Sequence, residues 1–169
     1  MAILTETGTL YTEGEGIYKA LGHDSRQDKS TPTLVANLKN LNITEISCGS
    51  TFTTAISDSG NVYIWGTLKW SGEVLPPSRV KCLDRIFITS ISCGTKHVLA
   101  LSKTGKVYSW GDNTFGQLGR NTEGNSHQIP AEIEDLKSIE AIHCGTHHSV
   151  ALSSIGEIFI WGHNLARQC

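Results

Sequence analysis

At 169 residues and a formal net charge of −2, the chain can bury one sizeable core and carries no basic run, so a phosphate-tracking nucleic-acid surface is not indicated. Seventeen glycines and four tryptophans suit a β-rich protein with many tight turns, and no stretch approaches the roughly 20 apolar residues that span a bilayer. The start, Met1-Ala2-Ile3-Leu4-Thr5-Glu6, lacks the basic segment and long apolar run of a secretory signal, so an intracellular protein of cytoplasm or nucleus is expected.

In chain order, the first signal is a partial copy of a later one. Residues 2–11 line up with residues 99–108, so the chain opens inside a repeat. Glu13 stands where the later copies have tryptophan, and Gly14 to Gly22 then matches Gly111 to Gly119. Three full copies follow. Each runs Cys-Gly to Trp-Gly over 17 residues: Cys48 to Trp65, Cys93 to Trp110 and Cys144 to Trp161. Successive cysteines are 45 and 51 residues apart, a period of propellers and solenoids.

Each copy carries three strand signals of four to six residues rich in Val, Ile and aromatics. They are 43–48, 52–57 and 62–65, then 88–93, 97–102 and 107–110, then 139–144, 148–153 and 158–161. Gly60, Gly105 and Gly156 mark hairpin turns that call for a positive φ. A fourth strand signal precedes each copy, near 33–35, 78–80 and 129–133, with Pro32, Pro77 and Pro130 at its start as befits an edge strand. Four strands per repeat make one propeller blade. The expectation is an all-β partial β-propeller of about three four-stranded blades in a single domain, 1–169. Residues 1–32 are assigned to a partial blade and 33–66, 78–111 and 128–162 to full ones. The ending His163-Asn164-Leu165-Ala166-Arg167-Gln168 begins another post-tryptophan loop, and Cys169 aligns with Leu118, which reads as truncation rather than a lipidation signal.

Of five cysteines, Cys48, Cys93 and Cys144 share one repeat slot and cannot all pair, so they read as small, buried, reduced thiols. Cys82 and Cys169 are unmatched, and no Cys-x-x-Cys spacing suggests zinc.

Residues 93–119, Cys-Gly-Thr-Lys-His-Val-Leu-Ala-Leu-Ser-Lys-Thr-Gly-Lys-Val-Tyr-Ser-Trp-Gly-Asp-Asn-Thr-Phe-Gly-Gln-Leu-Gly, closely resemble the repeat of the regulator of chromosome condensation family. The third copy resembles it nearly as well. The first departs twice: Phe52 occupies the usual His slot, and Thr67-Leu68-Lys69-Trp70-Ser71-Gly72 replaces the Asn…Gly-Gln-Leu-Gly loop. The family forms seven-bladed propellers more than twice this length. The resemblance therefore implies a fragment, a truncated product or a chain that must associate.

No nucleophile elbow, phosphate loop or paired acidic motif appears, so no catalytic residue, cofactor or metal site is assigned. His97 and His148 recur with the repeat and read as turn-capping imidazoles rather than general bases. His143, His147 and His148 cluster around Cys144, but alternate strand residues face opposite ways, which argues against a metal site. Trp65, Trp110 and Trp161 read as packing anchors. Candidate partner contacts are Lys69, Trp70, Lys96, Asp112, Asn113 and His147. Trp70 breaks the repeat and reads equally as an exposed contact or as an anchor folded onto its own blade. The resemblance implies that Asn113 and Gln117 stabilise their loop, whereas the Asp112 slot varies and can face a partner.

The leading functional expectation is a non-catalytic protein–protein interaction module. The resemblance also implies two alternatives. One is a guanine-nucleotide exchange factor, or a piece of one, for a small Ran-like GTPase. It is weakened by the lack of room for the hairpin wedge that the founding member inserts in one blade. The other is a regulatory propeller segment of a larger protein such as a ubiquitin ligase. Self-association through open blade edges is a further expected contact.

Overall fold

A computed structural model describes residues 1–122 and 124–164. Its fourteen strands are β1 (Ala2–Leu4), β2 (Leu10–Gly14), β3 (Lys29–Leu34), β4 (Ile43–Cys48), β5 (Phe52–Ser57), β6 (Val62–Leu68), β7 (Glu73–Arg79), β8 (Ile88–Cys93), β9 (His97–Ser102), β10 (Val107–Asp112), β11 (Ser126–Glu132), β12 (Ile139–Cys144), β13 (His148–Ser153) and β14 (Ile158–Gly162). Among the described residues the only helical pieces are two 3₁₀ turns, Ala36–Leu38 and Lys81–Leu83. The chain is all-β, as its period and turn chemistry require.

The strands form four antiparallel sheets, β1-β2-β3, β4-β5-β6-β7, β8-β9-β10-β11 and β12-β13-β14. Two sheets are thus four-stranded and the flanking two have three strands. The fourth strand corrects the blade limits drawn from sequence. Residues 29–34, 73–79 and 126–132 pair with the preceding repeat, as in Tyr63 opposite Arg79 and Tyr108 opposite Glu132. The reason is connectivity: each outer strand follows the tryptophan strand of its own sheet, and only afterwards does the chain turn inward to the next sheet. Pro32, Pro76, Pro77 and Pro130 lie on these outer strands, where a missing N–H breaks no ladder.

Stacked sheets bury the middle strands on both faces. Every residue of β5 and β9 is buried. One apolar cluster between the second and third sheets includes Phe52, Ile56, Val62, Ile64, Ile91, Val98, Ala100 and Trp110. A second, between the third and fourth, includes Leu99, Leu101, Val107, Ile139, Ile142 and Ala151. The first and second sheets share Leu10, Val35, Ile43, Ala55 and Trp65. The hairpin glycines take the expected positive φ, +76° at Gly105.

Polar bonds repeat along the seam between inner strands. The Cys93 N–H donates to Ser47 Oγ at 3.0 Å and its thiol to Ser47 O at 3.7 Å. One repeat on, the Cys144 N–H donates to Ser92 Oγ at 2.9 Å and its thiol to Ser92 O at 3.1 Å. Both residues are half-buried, yet their sulfurs point into the seam. Burial pushes the Cys93 thiol well above its usual range, partly offset by bonds to Thr54 and Ser47, and raises Cys144 to about 12. Cys48 departs from expectation: it is exposed, because among the described residues no strand lies inside β1 in the first sheet to receive it.

Candidate protein-interaction rim

The strand connections divide between two rims. The β4–β5, β8–β9 and β12–β13 turns leave the same end of their sheets as the loops that follow β2, β6 and β10. On this rim the three Cys-Gly-Ser/Thr turns surround a depression of about 270 Å³ near the stacking axis. The turns are tied blade to blade: Ser50 N–H donates to Thr95 O at 3.2 Å and Thr95 N–H to Thr146 O at 3.1 Å. The glycine in each turn makes room for a ring three residues later. A Cβ on Gly94 would lie 2.1 Å from the His97 ring, and one on Gly49 would lie 2.0 Å from that of Phe52.

His97 does not cap its own turn, as the sequence suggested. Its Nε2 lies 2.9 Å from Ser149 Oγ in the next sheet, and that hydroxyl donates to Gln117 O at 2.8 Å. The residue is fully enclosed. Burial lowers its pKa to about 4, with Asp112 pulling the other way and His147 and His148 adding to the fall. A depressed histidine stabilises the fold above its unfolded pKa of about 6.5 and loses that contribution as pH falls toward 4. The loss is about 3 kcal/mol over that window, at 1.36 kcal/mol per unit. Urea titrations from pH 7 to 4 should show stability falling steeply in the native chain and less so in His97→Gln. An unchanged slope in the variant would mean that this ring is not the group responsible.

All six residues singled out from sequence lie on this one rim. Asp112 and Asn113 serve the loop itself. Asp112 accepts from Thr114 at 2.6 Å and from Gln117 at 2.7 Å, while Asn113 donates to Thr122 at 2.7 Å and accepts from Leu118 N–H at 2.9 Å. Lys96 is half-buried, and its carbonyl accepts the Asp112 N–H at 2.8 Å. Lys69 is exposed, with its ammonium 4.9 Å from the Tyr18 ring centre. Trp70 is half-buried against the core and meets Phe52 edge-on at 4.8 Å, which favours the folded-back reading over the exposed one. His147 lies 5.3 Å from the Phe115 ring, and His163 lies 4.6 Å from it.

Tyr18 and Phe115 were not singled out. They occupy the same loop slot in two repeats, are 39 % and 44 % exposed, and are each flanked by a residue of the following sheet. That shared aromatic slot was visible in the repeat alignment. Among the described residues no group of three His, Cys, Asp or Glu side chains is arranged to hold a metal ion. No helix among them is long and apolar enough to cross a membrane.

With this geometry in view, comparison with known proteins gives a consistent answer. A profile of the "Regulator of chromosome condensation (RCC1) repeat" matches residues 7–56 and 104–152, and a second profile of that repeat matches 88–117. The chain belongs to the RCC1 repeat family. Among curated proteins it is 34% identical to the E3 ubiquitin-protein ligase HERC2 of Mus musculus and of Homo sapiens, over 95% of this chain and 2% of theirs. It is 33% identical to the RCC1 domain-containing protein RUG3, mitochondrial, of Arabidopsis thaliana, over 95% of this chain and 39% of that one. It therefore spans well under half the length of these relatives. Among solved structures, human WBSCR16 superposes with a TM-score of 0.84 at 24% identity, over 97% of this chain and 45% of that chain. Yeast RCC1 (Prp20), solved with Kap60 bound to it, superposes with a TM-score of 0.84 at 22% identity, over 95% and 41%. These likenesses establish the fold: the chain is a segment of an RCC1-type β-propeller.

Proposed function

We propose that the chain is a protein-docking module without covalent chemistry of its own, and that its partner sits on the rim carrying the post-tryptophan loops. The observation that carries this reading is the pair of exposed aromatics, Tyr18 and Phe115, on the rim that also holds Lys69, Lys96 and His147. Aromatic residues are enriched at interface cores, and tyrosine is among the side chains that recur in binding hot spots. The partner contacts assigned to Asp112 and Asn113 are secondary, since their side chains already bond within the loop.

The HERC2 identity favours one elaboration, a segment that docks proteins for a larger polypeptide. The exchange-factor alternative is implied by the family resemblance; the structural likeness to Prp20p from Saccharomyces cerevisiae, described with its binding to Gsp1p and histones, speaks only for the fold. The β6–β7 connection is only residues 69–72, which gives no support for a wedge there.

The test combines affinity capture with a double variant, Tyr18→Ala with Phe115→Ala. The variant should lower affinity for the recovered partner by tenfold or more, since hot-spot truncation costs at least about 1–2 kcal/mol. Its urea midpoint should stay near that of the parent, because both rings are substantially exposed. Undiminished capture would remove the rim from consideration. A nucleotide-release assay on any GTPase recovered decides the exchange alternative.

A further inference from the structure

The three inter-sheet junctions are built alike except in one place. At the first, the loop after β2, residues 15–28, lays Ala20-Leu21-Gly22 against the second sheet. The Ala20 carbonyl accepts from Trp65 Nε1 at 2.8 Å and from Thr53 Oγ1 at 2.9 Å. The Leu21 carbonyl accepts from Thr12 Oγ1 at 2.6 Å, and Leu21 is buried. At the third junction the loop after β10, residues 113–125, repeats this with Gln117-Leu118-Gly119. Gln117 O accepts from Trp161 Nε1 at 2.9 Å and Ser149 Oγ at 2.8 Å, and Leu118 O accepts from Ser109 Oγ at 2.8 Å.

The middle junction has no such loop. Only residues 69–72 join β6 to β7, and where the Leu-Gly turn would rest there is a cavity of about 250 Å³. Its walls correspond to those of the filled seats. A Cβ on Gly22 would meet Val35, the Trp65 indole nitrogen and Pro77. The matching residues one repeat on are Val80, Trp110 and Pro130, and all three line the cavity. The two hydroxyl slots have become apolar: Ile64 stands where Thr12 and Ser109 do, and Val98 where Thr53 and Ser149 do. Trp110 keeps its indole N–H, which lines the cavity instead of donating to a loop carbonyl as those of Trp65 and Trp161 do. Trp70 and the exposed Ile129 stand at the mouth.

We propose that this cavity receives a segment of a partner protein: a turn bearing a leucine-class side chain, whose preceding carbonyl accepts the Trp110 N–H. Ile64, Leu68, Leu75, Val80 and Pro130 give the seat an apolar lining beside the Trp110 indole, with Ser78, Arg79, Lys81 and Gln128 also on its wall, so it suits an aliphatic side chain whose backbone carbonyl meets the indole N–H. Its volume falls below the roughly 300–1,000 Å³ of small-molecule pockets, which disfavours a free metabolite or cofactor. The two filled seats show what chain conformation such a surface accepts. The inference rests on the docking-module reading and gives it a second, side-facing contact.

The probe is a peptide of this chain's own loop, residues 115–120, with a photoreactive leucine analogue at the position of Leu118. Irradiation with the full chain should label residues around Ile64, Trp70 and Ile129. An excess of the unmodified peptide should abolish labelling. A peptide with aspartate in place of the leucine should compete at least tenfold less well. Ile129→Glu on the exposed mouth should reduce labelling about tenfold with an unchanged urea midpoint, whereas Trp110→Phe should weaken it by removing the donor. Scattered labelling, or labelling that the aspartate peptide competes equally, would overturn the proposal. So would cavity labelling seen in the monomer fraction but not in assembled chain, since a second copy would then own the seat. Loss of cavity labelling with rim-dependent capture intact sinks this inference alone. Labelling retained while the rim variant captures its partner undiminished sinks the rim reading alone.

Discussion

Trp65→Ala is expected to destabilise the chain by about 3–5 kcal/mol, the range for truncating a fully buried large aromatic. Trp65 is completely enclosed, packs with Leu10, Val35 and Ile43, and donates to the Ala20 carbonyl across the junction. Trp65→Phe keeps most of the volume and loses that bond, so it should cost less, with the hydrogen bond itself contributing about 1 kcal/mol. The Trp161 ring occupies the same repeat slot but is only half-buried, since among the described residues no outer strand pairs with β14 as β7 pairs with β6. Trp161→Ala should therefore cost clearly less than Trp65→Ala. Urea denaturation of the three variants measures the order. Equal losses at Trp65 and Trp161 would mean that the junctions do not carry the stability of this fold. A loss of partner capture by Trp65→Ala without a shift in midpoint would make the slot a binding element rather than a packing one.

The repeat made most of the fold legible. A fixed 17-residue spacing with a hairpin glycine between constrains the three inner strands of every sheet, and their observed limits agree closely with those drawn from sequence. The outer strand was assigned to the wrong sheet because spacing reveals strands but not pairing. A segment midway between two repeats is equally near both in sequence, and only the ladder Tyr63–Arg79 decides. The site was half legible. Rim residues could be picked where a copy breaks the repeat, as at Lys69 and Trp70, or where the resemblance marks a variable loop slot, as at Asp112. Coupled departures could not. Phe52, Ile64, Val98 and Trp70 look like four separate lapses from the repeat. In space they are one substitution of an apolar junction for the polar one that His97, Ser149 and Gln117 form farther on. The exposure of Cys48 was hidden for a related reason: a slot is buried by its neighbour, and among the described residues the first sheet has no strand inside β1.

An isolated chain of these 169 residues is expected to associate at micromolar concentration. Leu152, Ile158 and Ile160 are 37 %, 66 % and 42 % exposed on the last sheet. Their counterparts one repeat earlier, Leu101, Val107 and Ser109, are 4 %, 0 % and 0 % exposed because the fourth sheet covers them. The last sheet thus presents an uncovered junction face that is more apolar than the covered one, with Ile160 in place of Ser109. At the other end Met1 and Ile3 are exposed on β1 and its approach, and Cys48 awaits a strand to its side. The two ends are complementary halves of a contact made elsewhere in the chain, so a head-to-tail pair satisfies both at once. Head-to-tail contacts close into a ring if the rotation allows and otherwise extend as open assemblies. Ile158→Lys with Ile160→Lys should weaken the association by making one face a charged edge, and the monomer fraction should rise in sedimentation velocity. The fold should survive these changes, since both side chains already face solvent in the single chain. A parent chain that sediments as a compact monomer at high concentration would show that these faces do not drive assembly. Association that persists unchanged in the double lysine variant would place the contact elsewhere on the surface.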